Sequence, residues 1–135
     1  MSYKIQEIEG IGPAYAEKLE AAGITTTDDY LKACCDAKGS AEIVEKTGIS
    51  DKLILRWANQ ADLMRISGVG EEYAELLEAA GVDTVKELRN RVPANLTAKM
   101  AEVNEEKKLT RRAPSESEVE KWVDQAKGME PMITH

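Results

Sequence analysis

Phenylalanine is absent from this chain, histidine occurs once, and the only two cysteines are neighbours. Each shortage removes a class of chemistry. Aromatics make up 4% of the 135 residues, so Leu, Ile, Val and Ala must fill the core. The single histidine, His135, is the last residue. That excludes a His-rich metal site and argues against a histidine general base. Cys34 and Cys35 make only a strained disulfide, and no second pair exists to complete a metal site. They read as two small apolar side chains near a helix end. No apolar run reaches about 18 residues, so no membrane-spanning helix is expected. No basic-then-apolar leader opens the chain, which makes the cytoplasm the expected address.

An excess of positive charge is also missing. The net charge is −7, with seven bases against eleven acids in residues 1–62 and eleven against fourteen afterwards. Both halves are acidic, which argues against a broad electrostatic grip on DNA or anionic lipid. Nucleotide-binding loops are lacking too. There is no Gly-x-x-x-x-Gly-Lys run, and Gly10-x-Gly12-x-x-Tyr15 has neither the third glycine nor the preceding strand of a dinucleotide site. Without a nucleophile–base pair, a metal constellation or a cofactor motif, no catalytic residue is designated and no cofactor or small-molecule substrate is expected.

What the chain does have is repetition. "IEGIGPAYAEKLEAAGITT" from Ile8 returns as "ISGVGEEYAELLEAAGVDT" from Ile66, a shift of 58 with twelve of nineteen positions identical. "ISDKLILRWANQA" (Ile49–Ala61) returns as "PSESEVEKWVDQA" (Pro114–Ala126) at a shift of 65, pairing Trp57 with Trp122 and Gln60 with Gln125. The second copy therefore gains seven residues within "NRVPANLTAKMAEVNEEKKLTRRA". Such duplication predicts two equivalent structural units. Their expected bounds are 1–62 and 63–128, with a disordered tail at 129–135.

Every local signal is helical. "AYAEKLEAAG" and "EYAELLEAAG" are rich in helix formers and stop at Gly23 and Gly81, residues suited to the left-handed position after a helix. Thr26-x-x-Asp29 and Thr84-x-x-Glu87 predict capping boxes for the helices that follow. Ser50 and Ser115 stand where N-caps belong. Ile54, Trp57, Ala58 and Ala61, like Val119, Trp122, Val123 and Ala126, form one apolar stripe per helix and place both tryptophans in the core. The expected fold is all-α, with four to five short helices per unit. "WANQADLMRISGVG" holds no linker, so the units should form a rigid pair.

Gly10-Ile11-Gly12 and Gly68-Val69-Gly70 each precede a helix, with Ile5 and Ile8, or Leu63 and Ile66, suggesting a short helix before. Two helices joined by such a turn form a helix–hairpin–helix. The glycines allow unusual backbone angles and close packing, and successive amides at a helix start suit a phosphate oxygen. Pro13 is compatible with the first helical position.

The stretch from Ile8 through "AEIVEKTGISDKLILRWANQA" resembles the N-terminal domain of archaeal and eukaryotic RecA-like recombinases, a five-helix unit with one well-formed hairpin and a degenerate one near "TGIS". Nearly the whole chain is similar to an uncharacterised bacterial and archaeal family, domain of unknown function 4332. "EKTGISDKLILRWANQADLMRISGVGEEYAELLEAAGVDTVKELRNR" and "EVNEEKKLTRR" carry that likeness. The resemblance implies two tandem helix–hairpin–helix (SAM-like) units related to modules that bind DNA without reading sequence, and no known reaction.

Expected phosphate contacts are Gly10, Ile11, Gly12 and Lys18, with the basic group Lys107, Lys108, Arg111 and Arg112. Four such contacts give a slope of log affinity against log salt of about −3.6. The competing reading makes the basic group a solvated helix end, partly neutralised by Glu105 and Glu106. Glu71 and Glu72 follow Gly70 and would repel DNA, so Gly68, Val69 and Gly70 read as a structural hairpin. "SAEIVEKTGISDKLILRWANQ" has the cadence of a helix–turn–helix offering Asp51, Lys52, Arg56, Asn59 and Gln60. Its counterpart bears Glu116, Glu118 and Glu120, which no DNA groove favours. The expected function is non-enzymatic binding of nucleic-acid backbone, the alternative an adaptor whose acidic surface meets a protein.

Overall fold

Side-chain caps decide where most helices begin. The computed structural model describes residues 3–8, 10–130, 132 and 133; His135 lies outside them. After a 3-10 turn at Ile5–Glu7 come α1 (Pro13–Ala21), α2 (Thr27–Cys34), α3 (Ala37–Thr47), α4 (Asp51–Leu63), α5 (Glu71–Ala79), α6 (Val85–Leu88), α7 (Pro93–Lys107) and α8 (Glu116–Lys127). Among the described residues there is no strand, only an isolated antiparallel bridge between Lys4 and Thr26. Thr26, Ser50 and Ser115 accept from amides three residues on, starting α2, α4 and α8. Asp36 does the same for α3. Each cap is worth about 1 kcal/mol.

The sequence repeat is a repeat of hydrogen bonds. Ile8, Ile11, Ala16 and Ile24 donate to the carbonyls of Ile5, Ile8, Gly12 and Leu19 at 2.9–3.1 Å. Ile66, Val69, Ala74 and Val82 donate to those of Leu63, Ile66, Gly70 and Leu77 at 2.8–3.1 Å. Elements α1 to α4 correspond in order to α5 to α8. The inserted residues enlarge the region around α7, which has 15 residues where α3 has 11. They also lengthen its connection to α8, which spans 108–115 against 48–50 in the first unit.

One apolar core runs through both units. The stripes of α4 and α8 are buried, with Trp57 and Trp122 1% and 3% exposed. Each tryptophan meets a tyrosine from the helix after the Gly-x-Gly turn. Tyr15–Trp57 and Tyr73–Trp122 both have ring centroids 5.2 Å apart, in edge-on and tilted arrangements. Such pairs contribute about 1 kcal/mol beyond burial. Tyr30 donates its hydroxyl to the Ile54 carbonyl at 2.6 Å in the interior. Among the described residues, no buried side-chain nitrogen or oxygen lacks a partner.

Helix α4 packs against α5 across the second Gly-x-Gly turn. Arg56 and Gln60 of α4 reach Glu78 of α5 at 3.5 and 3.0 Å. Asp62, with a side chain 2% exposed, binds Arg65 Nη1 at 2.8 Å. Its other oxygen accepts from the Val85 amide at 2.8 Å. One buried carboxylate thereby joins the end of α4 to the start of α6. Beyond α8, Met129, Met132 and Ile133 pack half-buried on the core, and Arg65 Nη2 donates to the Glu130 carbonyl at 3.0 Å.

The predicted capping boxes divide. Thr26 and Asp29 form theirs completely. Thr84 accepts from the Glu87 amide, but the Glu87 carboxylate turns to Arg91 at 2.9 Å instead of closing the box.

Candidate functional site

The two glycines of each turn have different tasks. Gly10 and Gly68 lie at φ 93° and 95°, a region that side-chain-bearing residues resist. A Cβ on either would also stand 3.3 or 3.1 Å from the indole nitrogen of Trp57 or Trp122. The first glycine of each pair is therefore demanded by the fold. Gly12 and Gly70 are extended, at φ −85° and −95°, and a Cβ there would meet nothing within 4 Å. Neither sterics nor backbone angle requires glycine at these positions. Both are N-caps without a side chain, so neither makes a side-chain cap hydrogen bond to the helix it starts.

Between the glycines, Ile11 and Val69 are 5% and 0% exposed, and their amides are spent on Ile8 and Ile66. Ile11 thus offers a ligand neither its side chain nor its N–H. Lys18 is exposed on α1. After Gly70, Glu71 and Glu72 are exposed in the first turn of α5.

The four basic residues of the expansion are all exposed but differ in their surroundings. Lys107 ends α7 and lines a crevice of about 190 Å³ with Arg56, Glu75, Glu78, Ala79 and Leu109. Its charged neighbours there are two acids and one base. Arg112 Nη1 is 2.9 Å from Glu118 Oε1 on α8. That hydrogen bond holds the Arg112 guanidinium above its usual pKa and draws the Glu118 carboxyl below the ordinary carboxylate value. Lys108 and Arg111 are exposed.

The backbone bearing these residues is held firmly. Asn104 clamps Thr110, accepting from its amide at 2.9 Å and donating to its carbonyl at 3.2 Å. The Arg112 carbonyl accepts from the hydroxyls of Thr110 at 2.8 Å and Tyr73 at 3.3 Å. Lys108 takes the left-handed conformation at φ 51°, where the first unit has Gly48 at φ 72°. Non-glycine residues resist that region, yet here a lysine is held in it. Tyr73 lies three residues after Gly70, so the loop is tied to the helix of the second turn. The loop thus joins α5, α7 and α8. Sequence spacing reveals none of this, because Asn104, Tyr73 and Glu118 are drawn from three helices.

Helix α4 keeps part of its polar face engaged within the fold. Gln60 is buried on Glu78 and Arg56 leans on the same carboxylate. Two of the five side chains of a helix–turn–helix reading are thereby engaged within the fold. Burial pushes the Cys34 thiol up to about 12. No group of three or more His, Cys, Asp or Glu among the described residues is disposed to hold a metal ion. None of the described helices is long and apolar enough to cross a membrane.

The chain belongs to the family described as Domain of unknown function (DUF4332), whose model matches residues 9–129. It matches no curated protein and no solved structure with which it was compared.

Proposed function

We propose that this member of a family of unknown function is a non-enzymatic, tandem helix–hairpin–helix module that binds nucleic-acid backbone without reading sequence. The observation that carries the reading is the fixed basic loop. Lys108 and Arg111 are exposed on a backbone clamped by Asn104 and Thr110 and joined through Tyr73 to the helix after Gly70. A loop ordered by so many polar contacts presents its cations with little further entropy loss on binding. Gly12 supports the reading, being a glycine the fold does not require at the start of α1. The likeness to recombinase N-terminal domains points the same way, and the burial of Gln60 and the pairing of Arg56 with Glu78 favour sequence-neutral binding over base reading by α4.

The grip is modest. With Arg112 paired to Glu118 and Lys107 among acids, two or three phosphates are contacted, giving a salt slope of about −2 to −3. A net charge of −7 limits affinity further. Fluorescence-anisotropy titration of labelled single- and double-stranded DNA at low and moderate salt tests the proposal. The control changes Lys107, Lys108, Arg111 and Arg112 to Ala. Salt-sensitive binding weakened by the control supports the reading, and absence of binding at low salt removes it.

A second reading rests on the acidic balance of both halves and on Glu71 and Glu72 exposed beside the second turn. In it the chain is an adaptor that meets a basic protein surface. Absence of DNA binding by every form favours it.

A further inference from the structure

Arg112 and Glu118 have no counterpart in the first unit. At the shift that aligns Trp57 with Trp122, Ser115 falls on Ser50 but Glu118 falls on Leu53. Arg112 belongs to the enlarged connection, whose first-unit equivalent spans only 48–50. The repeated fold therefore does without this ion pair, and the basic loop and its carboxylate partner occur together in the second unit alone.

The geometry resembles that of an anion held by the loop. Glu118 Oε1 accepts from Arg112 Nη1 at 2.9 Å, from the Ser115 amide at 3.3 Å and from the Ser115 hydroxyl at 3.2 Å. A guanidinium, a hydroxyl and a backbone N–H at a helix start are also what a phosphate oxygen seeks. The pair is accessible, with the Arg112 side chain 65% and that of Glu118 34% exposed, so an incoming anion can reach it.

We propose that Glu118 is a built-in competitor for the phosphate that Arg112 would otherwise hold, latching part of the basic loop in the free protein. This rests on the backbone-binding reading above. When a polyanion approaches, Arg112 exchanges Glu118 for phosphate, while Lys108 and Arg111 need no such exchange. The Ser115 hydroxyl goes on accepting from the Glu118 amide at 3.2 Å, so α8 remains capped. The latch lowers affinity for weak anionic surfaces and leaves binding to dense phosphate arrays, where several contacts form together.

The test uses the full chain and a short fluorescein-labelled DNA duplex at low salt. Wild type is compared with E118Q, E116Q, R112A and E118Q/R112A, each checked for its thermal transition. An exposed ion pair corresponds to roughly a two- to five-fold change, so E118Q is expected to bind that much more tightly. E116Q removes the same charge from the same turn and is expected to gain less. On the R112A background the E118Q gain should fall to that of E116Q. A gain no larger than that of E116Q, or one undiminished without Arg112, overturns the latch while leaving the backbone-binding reading intact. If neither wild type nor E118Q binds DNA, both fall together.

Discussion

Changing each glycine of a turn to alanine separates what the fold needs from what a ligand would need. At Gly10 the substitution places a Cβ at φ 93° and 3.3 Å from the Trp57 indole nitrogen. The positive φ costs about 1–2 kcal/mol. The indole, sealed in the core at 1% exposure, cannot yield freely. G10A should therefore lose about 2 kcal/mol. G68A should lose at least as much, its contact being 3.1 Å. For a chain of this size that lowers Tm by about 6–10 °C. At Gly12 and Gly70 the backbone is extended and the space open. G12A and G70A lose the slight preference of glycine over alanine at an N-cap, about 0.5 kcal/mol. They recover a similar amount from a less flexible unfolded chain. Urea denaturation of the four variants is the assay. Equal losses at Gly10 and Gly12 would refute the division of labour. If it holds, G12A and G70A become clean probes of binding, because any lost affinity would not reflect a lost fold.

Four further outcomes follow from the same geometry. Lys108→Gly relieves the left-handed strain at φ 51° and should stabilise the chain by about 1 kcal/mol, read as a higher urea midpoint at unchanged slope. Asp62→Ala strips Arg65 of its partner and leaves the Val85 amide without an acceptor, so it should cost about 3 kcal/mol; Asp62→Asn keeps an acceptor oxygen and should cost less. In the native protein at pH 8, a thiol reagent should label Cys35 and spare buried Cys34, with both reacting in urea. Because burial raises the Cys34 pKa to about 12, its neutral thiol contributes stability below the unfolded value of about 8.5. That contribution is lost as pH rises from there towards 12, and Cys34→Ala should flatten that part of the profile.

Much of the fold was legible because it rests on short-range chemistry. The threonine and serine caps, the glycines ending α1 and α5, and the stripes that bury Trp57 and Trp122 all act within one or two helical turns. Duplication made each signal readable twice. Asp62 was not legible, since an acid in a charged chain reads as surface until the fold encloses it. Thr84-x-x-Glu87 misled in one arm because Arg91, four residues further along, competes for the same carboxylate. The basic group is a related case. Lys107, Lys108, Arg111 and Arg112 are near in sequence, but the acids that engage two of their surroundings come from α5 and α8. What sequence could not supply was the partner of each charge across helices.

The most direct test of where this protein binds is an amide NMR titration with a short DNA duplex at low salt. The account predicts shifts confined to Gly12–Tyr15, to residues 108–112 and to Tyr73 bonded to that loop, which fade as salt is added. Shifts centred elsewhere, or none even with DNA in excess, would contradict it.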